Sequence, residues 1–125
     1  MRANWFEVPV SNMPRARQFY ETIFELEMGE PFEMNGSMMC FFPYEAEREG
    51  ATGTLIQHDA YTPSHHGTLI YFSVKEINDV IPRISSAGGK VINEKMSIGE
   101  QHGFVGHFED SEGNRVALHQ APSPN

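Results

Sequence analysis

The second half of this 125-residue chain repeats the order of elements found in its first half. An apolar stretch that ends at Val10 precedes a helical pattern over 13–24, and one that ends at Val74 precedes a helical pattern over 77–87. Val10 and Val74 are 64 residues apart, about half of the chain. A repeated unit this short cannot bury its own apolar face, so the copies must pack on each other or on another subunit. The seam between two sheet-bearing halves is a natural place for a pocket.

Local signals predict one helix and four strands in the first half. Asn12 is a good N-cap and Pro14 falls in the first turn of a helix whose apolar residues recur at i, i+3, i+4, i+7 and i+8. Asn35-Gly36 is the strongest hairpin signal in the chain. The predicted strands are 4–10, 26–32, 38–42 and 54–58, with a loop over 44–53.

The same signals in the second half predict a second βαβββ unit. Gly88-Gly89 is typical of a helix C-cap, and Pro82 is expected to kink or shorten the helix that contains it. The segment Glu100-Gln101-His102-Gly103 favours a plain turn, with a substrate-contacting loop as the alternative. The predicted strands are 68–74, 90–95, 104–109 and 115–120.

Composition narrows the possible functions. The net charge of −8, with nine basic residues scattered among seventeen acidic ones, argues against nucleic-acid binding, which needs clustered Lys and Arg. The sequence has no apolar run of membrane-spanning length, so we expect no membrane partner. The N-terminus has no basic-then-apolar secretory signal, and the single Cys40 cannot form an internal disulfide, which fits a cytoplasmic location.

These patterns resemble the vicinal oxygen chelate superfamily, which includes glyoxalase I, bleomycin-resistance proteins and extradiol dioxygenases. The resemblance extends over nearly the whole chain and is closest to small bacterial proteins related to lactoylglutathione lyase. It is carried by the following segments: Phe6–Val10, Arg15–Tyr20, Gly67–Phe72, Ala87–Val91 and Asp110–His119. The resemblance implies an α+β fold in which two βαβββ modules form a cup-shaped mixed sheet, often completed in a homodimer. It also implies one glyoxalase-like domain over 1–125, made of module 1 (4–60) and module 2 (66–121).

Metal-bearing members of this superfamily hold a divalent ion on four side chains from the first and last strands of each module. In this chain those positions fall at Trp5, near Leu55, at Leu69 and at Ala117, and none of these side chains can bind a metal. We therefore predict no metal at the usual ligand positions. A divalent metal on displaced ligands, with Glu7 and His119 joined by His58 or His107, is kept as an alternative.

A step of two residues along each of these strands keeps the face and reaches four polar side chains: Glu7, Gln57, Tyr71 and His119. We predict that they line the cup. Glu7 is the expected general base or hydrogen-bond acceptor, and His119 its acid/base partner. Gln57 and Tyr71, with Trp5, are the expected substrate-binding residues.

Each of these residues also has a structural interpretation. Glu7 could pair with Arg115 across neighbouring strands, His119 could be a hydrogen-bonded core histidine, and Tyr71 could serve packing. The functional prediction is a small-molecule ligand in the cup, with lyase or isomerase chemistry of the lactoylglutathione lyase type. The alternatives are non-catalytic binding of an antibiotic or metabolite, as in bleomycin-resistance proteins, and an interaction subunit without a ligand.

Overall fold

The computed structural model describes residues 1–45 and 50–123, which form two compact units, one ending at Pro63 and the other beginning at Ser64. Each unit has the order βαβββ, so the predicted α+β class with two such modules is confirmed. The elements of the first unit are β1 (Glu7–Pro9), α1 (Met13–Phe24), β2 (Phe32–Met34), β3 (Ser37–Phe41) and β4 (Thr54–Gln57). Those of the second unit are β5 (Tyr71–Ser73), α2 (Ile77–Ser86), β6 (Lys90–Ser97), β7 (Phe104–Glu109) and β8 (Arg115–Gln120).

The first sheet has the strand order β1-β4-β3-β2, with β1 parallel to β4 and the other pairs antiparallel. Helix α1 begins as predicted, because Asn12 Oδ1 accepts a hydrogen bond from the Arg15 N–H at 3.0 Å. The apolar stripe of α1, including Phe19, Tyr20 and Ile23, is fully buried. Each such side chain stabilises the unit by about 1.5–3 kcal/mol.

The second sheet repeats this arrangement with the order β5-β8-β7-β6. Helix α2 ends in a Schellman motif, in which the Gly89 N–H donates to the Ile84 carbonyl at 2.9 Å and Gly88 has a φ of +106°. The predicted glycine cap is therefore confirmed. The helix continues through Pro82, which lies on its exposed side.

Several predicted strand bounds differ from the structure, since β1 and β5 are shorter than the predicted 4–10 and 68–74. The predicted strand over 26–32 is wrong, because regular pairing begins only at Phe32, and Met28 is fixed instead by its N–H bond to Glu21 Oε2. Strand β6 runs to Ser97, beyond the predicted end, and register shifts interrupt its pairing with β7. The hairpin at Asn35-Gly36 is confirmed, with φ of +51° and +83°. The predicted loop over 44–53 falls partly outside the described residues.

No helix among the described residues is long and apolar enough to cross a membrane.

Candidate functional site

The strand register assigns the side chains of the first sheet to two faces. Val8, Leu55 and Cys40 form one row and are buried on the side of α1. Glu7 pairs with Thr54, and Thr54 with Phe41, so these three lie on the opposite side. We call the side of each sheet that is turned away from its own helix the helix-free face.

Aromatic rings continue the helix-free face of the first sheet beside Glu7. Trp5 is 41% exposed and packs edge-on against Phe41, with 5.2 Å between ring centroids. Phe41, 37% exposed, packs in the same way on Phe32 at 5.0 Å. We call Trp5, Phe41 and Phe32 the aromatic row. An exposed carboxylate at Glu7 and a partly exposed aromatic surface therefore occur on one face.

Gln57 does not share this face, so its predicted position beside Glu7 is wrong. Gln57 follows Leu55 by two residues on β4, so both side chains lie on the side of α1. There the Oε1 of Gln57 accepts a hydrogen bond from the Met13 N–H at 2.9 Å. It also lines an open cleft of about 450 Å³ at this end of the sheet, together with Met13, Glu33 and other residues. The amide oxygen of Gln57 is thus engaged by the first N–H of the helix.

The second unit shows which residue corresponds to Gln57. Gln120 Oε1 accepts a hydrogen bond from the Ile77 N–H at 2.9 Å, and Ile77 is the first residue of α2 just as Met13 is of α1. The last strand of each unit therefore ends in a glutamine that binds the helix N-terminus. Because Gln57 matches Gln120, the residue that matches His119 is the apolar Ile56.

Tyr71 and His119 do share a face, as predicted. Tyr71 pairs with Ala117, and Ala117 with His107, so these three form one row across β5, β8 and β7. His119 lies two residues further along β8 on the same side. Gly106 precedes His107 on β7 and therefore faces the other side of the sheet. An added Cβ on Gly106 would lie 3.4 Å from Ile77 on α2, so α2 covers that side and the side of His107 is helix-free.

Ala117 explains how the rings of Tyr71 and His107 meet. Ala117 is fully buried between the two strands, and its small side chain leaves room for rings from both sides. The rings of Tyr71 and His107 have their centroids 6.0 Å apart in a T-shaped arrangement. Tyr71 is 48% exposed, so part of this residue is accessible to a ligand.

His119 is held by a backbone carbonyl in the turn before β7. Its Nε2 lies 2.7 Å from the carbonyl oxygen of His102, which can only accept, so Nε2 carries the proton. The predicted turn is confirmed, since the N–H groups of His102 and Gly103 both donate to the Gly99 carbonyl at 3.0 Å. Gly103 has a φ of +91°, and a Cβ there would overlap the backbone oxygen of Gln120.

His107 also lies on this face, and the sequence points to it only as an alternative metal ligand. Its Nδ1 lies 3.3 Å from Nδ2 of Asn93 on β6. Partial burial, reinforced by the nearby guanidinium of Arg115, lowers the pKa of His107 below that of an ordinary histidine. His107 is therefore biased toward the neutral form. Its partner lies across an irregular strand pairing, so only the structure reveals it.

The prediction that Glu7 and Arg115 lie on neighbouring strands is wrong. Strand β1 pairs with β4, whereas β8 pairs with β5 and β7. Arg115 lies opposite Glu109, and Glu109 binds Nε2 of His65 at 2.7 Å.

The positions that bear metal ligands in related proteins do not fit a divalent ion here. Trp5, Leu55, Leu69 and Ala117 offer no donor atom, and Leu55 is buried on the side of α1. Within residues 1–45 and 50–123, no three His, Cys, Asp or Glu side chains are grouped so that they could hold a metal ion.

Two βαβββ units, each with a four-stranded mixed sheet and one helix, define the class of fold. A family model described as the glyoxalase/bleomycin resistance protein/dioxygenase superfamily matches residues 2–118. The chain therefore belongs to this superfamily, and the expected resemblance is confirmed.

Solved structures share this fold at low sequence identity. A glyoxalase family protein from Bacillus cereus is 13% identical with a TM-score of 0.75, and the match covers 98% of this chain and 95% of that one. A genomically encoded fosfomycin resistance protein from Listeria monocytogenes is 16% identical with a TM-score of 0.65, covering 100% and 94% of the two chains. A mutant of glyoxalase I from Zea mays is 14% identical with a TM-score of 0.70, and this chain spans only 45% of its length while 94% of this chain is matched. Sequence identities this low establish only that these proteins share the fold of this chain. No curated protein matches the chain.

Proposed function

We propose that the helix-free face of the second sheet binds a small molecule and that His119 exchanges a proton with it. The observation that carries this proposal is the pair of imidazoles beside Tyr71 on one face. A core histidine would have its ring nitrogens satisfied by the protein. In His119, Nε2 is hydrogen-bonded to a carbonyl, and no described residue forms a hydrogen bond with Nδ1.

The chemistry available to this face is general acid–base catalysis. A neutral imidazole whose other nitrogen is hydrogen-bonded to a carbonyl is held in one tautomer and can accept a proton at Nδ1. The hydroxyl of Tyr71 and the second imidazole of His107 supply hydrogen bonds to a substrate oxygen. Proton abstraction next to a carbonyl, as in the lyase and isomerase reactions of the lactoylglutathione lyase type, uses such groups.

The test uses His119→Gln, because the amide nitrogen of glutamine replaces Nε2 while Nδ1 is lost. Wild type and variant are compared for binding and turnover of a panel of small acids and aldehydes. We expect the variant to keep its fold and to lose turnover by about 100-fold or more, the usual contribution of a general base. Unchanged turnover in His119→Gln would assign the proton transfer to another residue.

Glu7 stays a predicted base on the helix-free face of the first sheet, where it is exposed. Glu7→Gln keeps the shape of the side chain and removes the carboxylate. If Glu7 is the base, the variant loses turnover of the same panel while its melting temperature is unchanged. A loss in Glu7→Gln without one in His119→Gln would reassign the base to Glu7.

The second candidate function is non-catalytic binding of a small molecule, as the resemblance to bleomycin-resistance proteins implies. The aromatic row beside Glu7 favours it, because exposed aromatic faces and a carboxylate attract planar cations. Trp5 is the single tryptophan of the chain, so its fluorescence reports on this surface alone. Saturable quenching by an aromatic cation such as ethidium, lost in Glu7→Gln and without turnover, would support sequestration.

The homodimer implied by the family belongs to the same proposal, and a monomeric mass in light scattering would contradict it.

A further inference from the structure

In each of the two imidazoles of the second sheet, one ring nitrogen faces a protein partner. The two partners are of opposite kinds, because one accepts hydrogen bonds and the other donates them. Nε2 of His119 meets a carbonyl oxygen, which only accepts hydrogen bonds. Nδ1 of His107 meets the Nδ2 amide of Asn93, which only donates them. In a neutral imidazole one nitrogen donates and the other accepts, so each partner determines the role of the remaining nitrogen.

We infer that His107 presents a protonated Nε2 to a ligand and that His119 presents an unprotonated Nδ1. The face therefore carries one hydrogen-bond donor and one acceptor of the same chemical type on neighbouring strands. The matching ligand has a hydrogen-bond-accepting atom for His107 and a donating or acidic group for His119. This inference rests on the proposed function for its ligand, whereas the protonation pattern belongs to the ligand-free protein.

Three residues are positioning residues in this arrangement. Asn93 fixes the tautomer of His107, and His102 fixes that of His119 through its backbone carbonyl rather than its side chain. Gly103 holds that carbonyl in place, because its N–H belongs to the same peptide group and donates to the Gly99 carbonyl at 3.0 Å. Its positive φ and its close approach to the end of β8 exclude a larger residue. An added Cβ there would also lie 2.9 Å from the backbone of Ala121.

The donor–acceptor pattern agrees with the charge around His107. A charged imidazolium would donate from both nitrogens and could not accept the Asn93 hydrogen bond. Burial and Arg115 both disfavour that charged form by lowering the pKa of His107. At neutral pH His107 is therefore held as a neutral donor.

Ring-nitrogen NMR of the ¹⁵N-labelled protein tests the inference directly, because it shows which nitrogen of each histidine carries the proton. The chain has six histidines, and His107→Gln and His119→Gln each remove one set of signals and so assign them. The spectra are recorded at about pH 8, above the ordinary histidine pKa of about 6.5. We expect Nε2–H tautomers for both, and an Nδ1–H tautomer in either would overturn the inference.

Replacement of the hydrogen-bond donor Asn93 should reverse the tautomer of His107 and leave that of His119 unchanged. Asn93→Asp replaces a donor by an acceptor, so we expect His107 to become Nδ1–H while His119 is unchanged. Asn93→Ala should leave His107 as a mixture of both tautomers. A His107 tautomer that does not respond to Asn93→Asp would contradict the role assigned to Asn93.

The second ring is tested through the turn. His102→Ala keeps the backbone carbonyl and should not alter His119, whereas Gly103→Ala should move the carbonyl and weaken the Nε2–H preference. Gly67→Ala is the matched control, because Gly67 has a similar φ of +93° and open space where a Cβ would be placed. A change in His119 with His102→Ala or with Gly67→Ala would refute the backbone mechanism. If Gly103→Ala does not fold, the tautomer of His119 in the wild-type protein still tests the inference, because an Nδ1–H form would overturn it.

Ligand binding separates this inference from the proposed function. For a panel compound that binds wild type, we expect Asn93→Asp to lower affinity about tenfold, since an acceptor then faces the acceptor of the ligand. The predicted tautomers without any bound compound would refute the proposed function alone. A bound compound together with the opposite tautomers would refute the inference alone.

Discussion

Replacement of Gln57 tests whether this residue serves the helix or a ligand. In Gln57→Met the side chain keeps its length but loses the oxygen that accepts the Met13 N–H at 2.9 Å. Met13 is 2% exposed, so its N–H gains little water in return. An unsatisfied donor in such a place costs about 1–3 kcal/mol, and we expect about 1–2 kcal/mol here because Gln57 is only half-buried.

The measurement is thermal unfolding followed by circular dichroism. For a chain of this size we expect Gln57→Met to lower the melting temperature by about 3–8 °C. Gln57→Glu is the control, because a carboxylate also accepts the N–H and is favoured at a helix N-terminus. It should remain within about 0.5 kcal/mol of wild type or be more stable. Gln120→Met should behave like Gln57→Met, since Gln120 bonds the first N–H of α2.

Two outcomes would refute this reasoning. If Gln57→Met were as stable as wild type, the hydrogen bond to Met13 would not support α1. If Gln57→Met kept its stability but lost ligand binding, Gln57 would be a ligand-binding residue, as the sequence analysis predicted, and the cleft beside it would be the place to look for the ligand.

Three further predictions concern the site and the packing around it. His119→Asn loses the hydrogen bond to the backbone carbonyl that His119→Gln can keep, so it should be about 0.5–1.5 kcal/mol less stable than His119→Gln in urea unfolding. The pKa of His107 is lowered by burial and Arg115, so the unfolded chain binds its proton first and stability should fall as the pH drops below about 6.5. His107→Gln should reduce that fall, and an unchanged difference in melting temperature between neutral and mildly acidic buffer would contradict it. Gly53→Ala places a Cβ that would overlap the backbone oxygen of Phe6 and lie 2.6 Å from its ring, so it should cost about 1–3 kcal/mol, whereas wild-type stability would mean that the backbone at Phe6 shifts aside without cost.

The fold was predictable because its signals are local and occur twice. Asn12, Pro14 and one apolar stripe define α1, and Gly88-Gly89 ends α2 in the expected motif. The segment 26–31 misled the prediction, because it contains apolar residues but is held by irregular bonds such as that of Met28 to Glu21. Such bonds follow no period along the chain.

The candidate site was only partly predictable, and one residue of register accounts for the main error. The prediction that Tyr71 and His119 share a face holds because both strands are regular there. The step of two residues along each strand matches Gln57 with His119, whereas the structure matches Gln57 with Gln120, and a shift of one residue in a strand moves a side chain to the other face. The contacts of His119 with the His102 carbonyl and of His107 with Asn93 join distant parts of the chain, one through the backbone and one beside a bulge. No sequence pattern marks either of them.

The most direct test of the central claim is a ligand titration followed on the ring nitrogens of His107 and His119. As a panel compound saturates the protein, the account predicts that the signals of both rings shift along one binding curve and that the shift of His107 is lost or weakened in His119→Gln. A panel in which no compound moves these signals, or a compound that saturates the protein and leaves both rings unchanged, would contradict it.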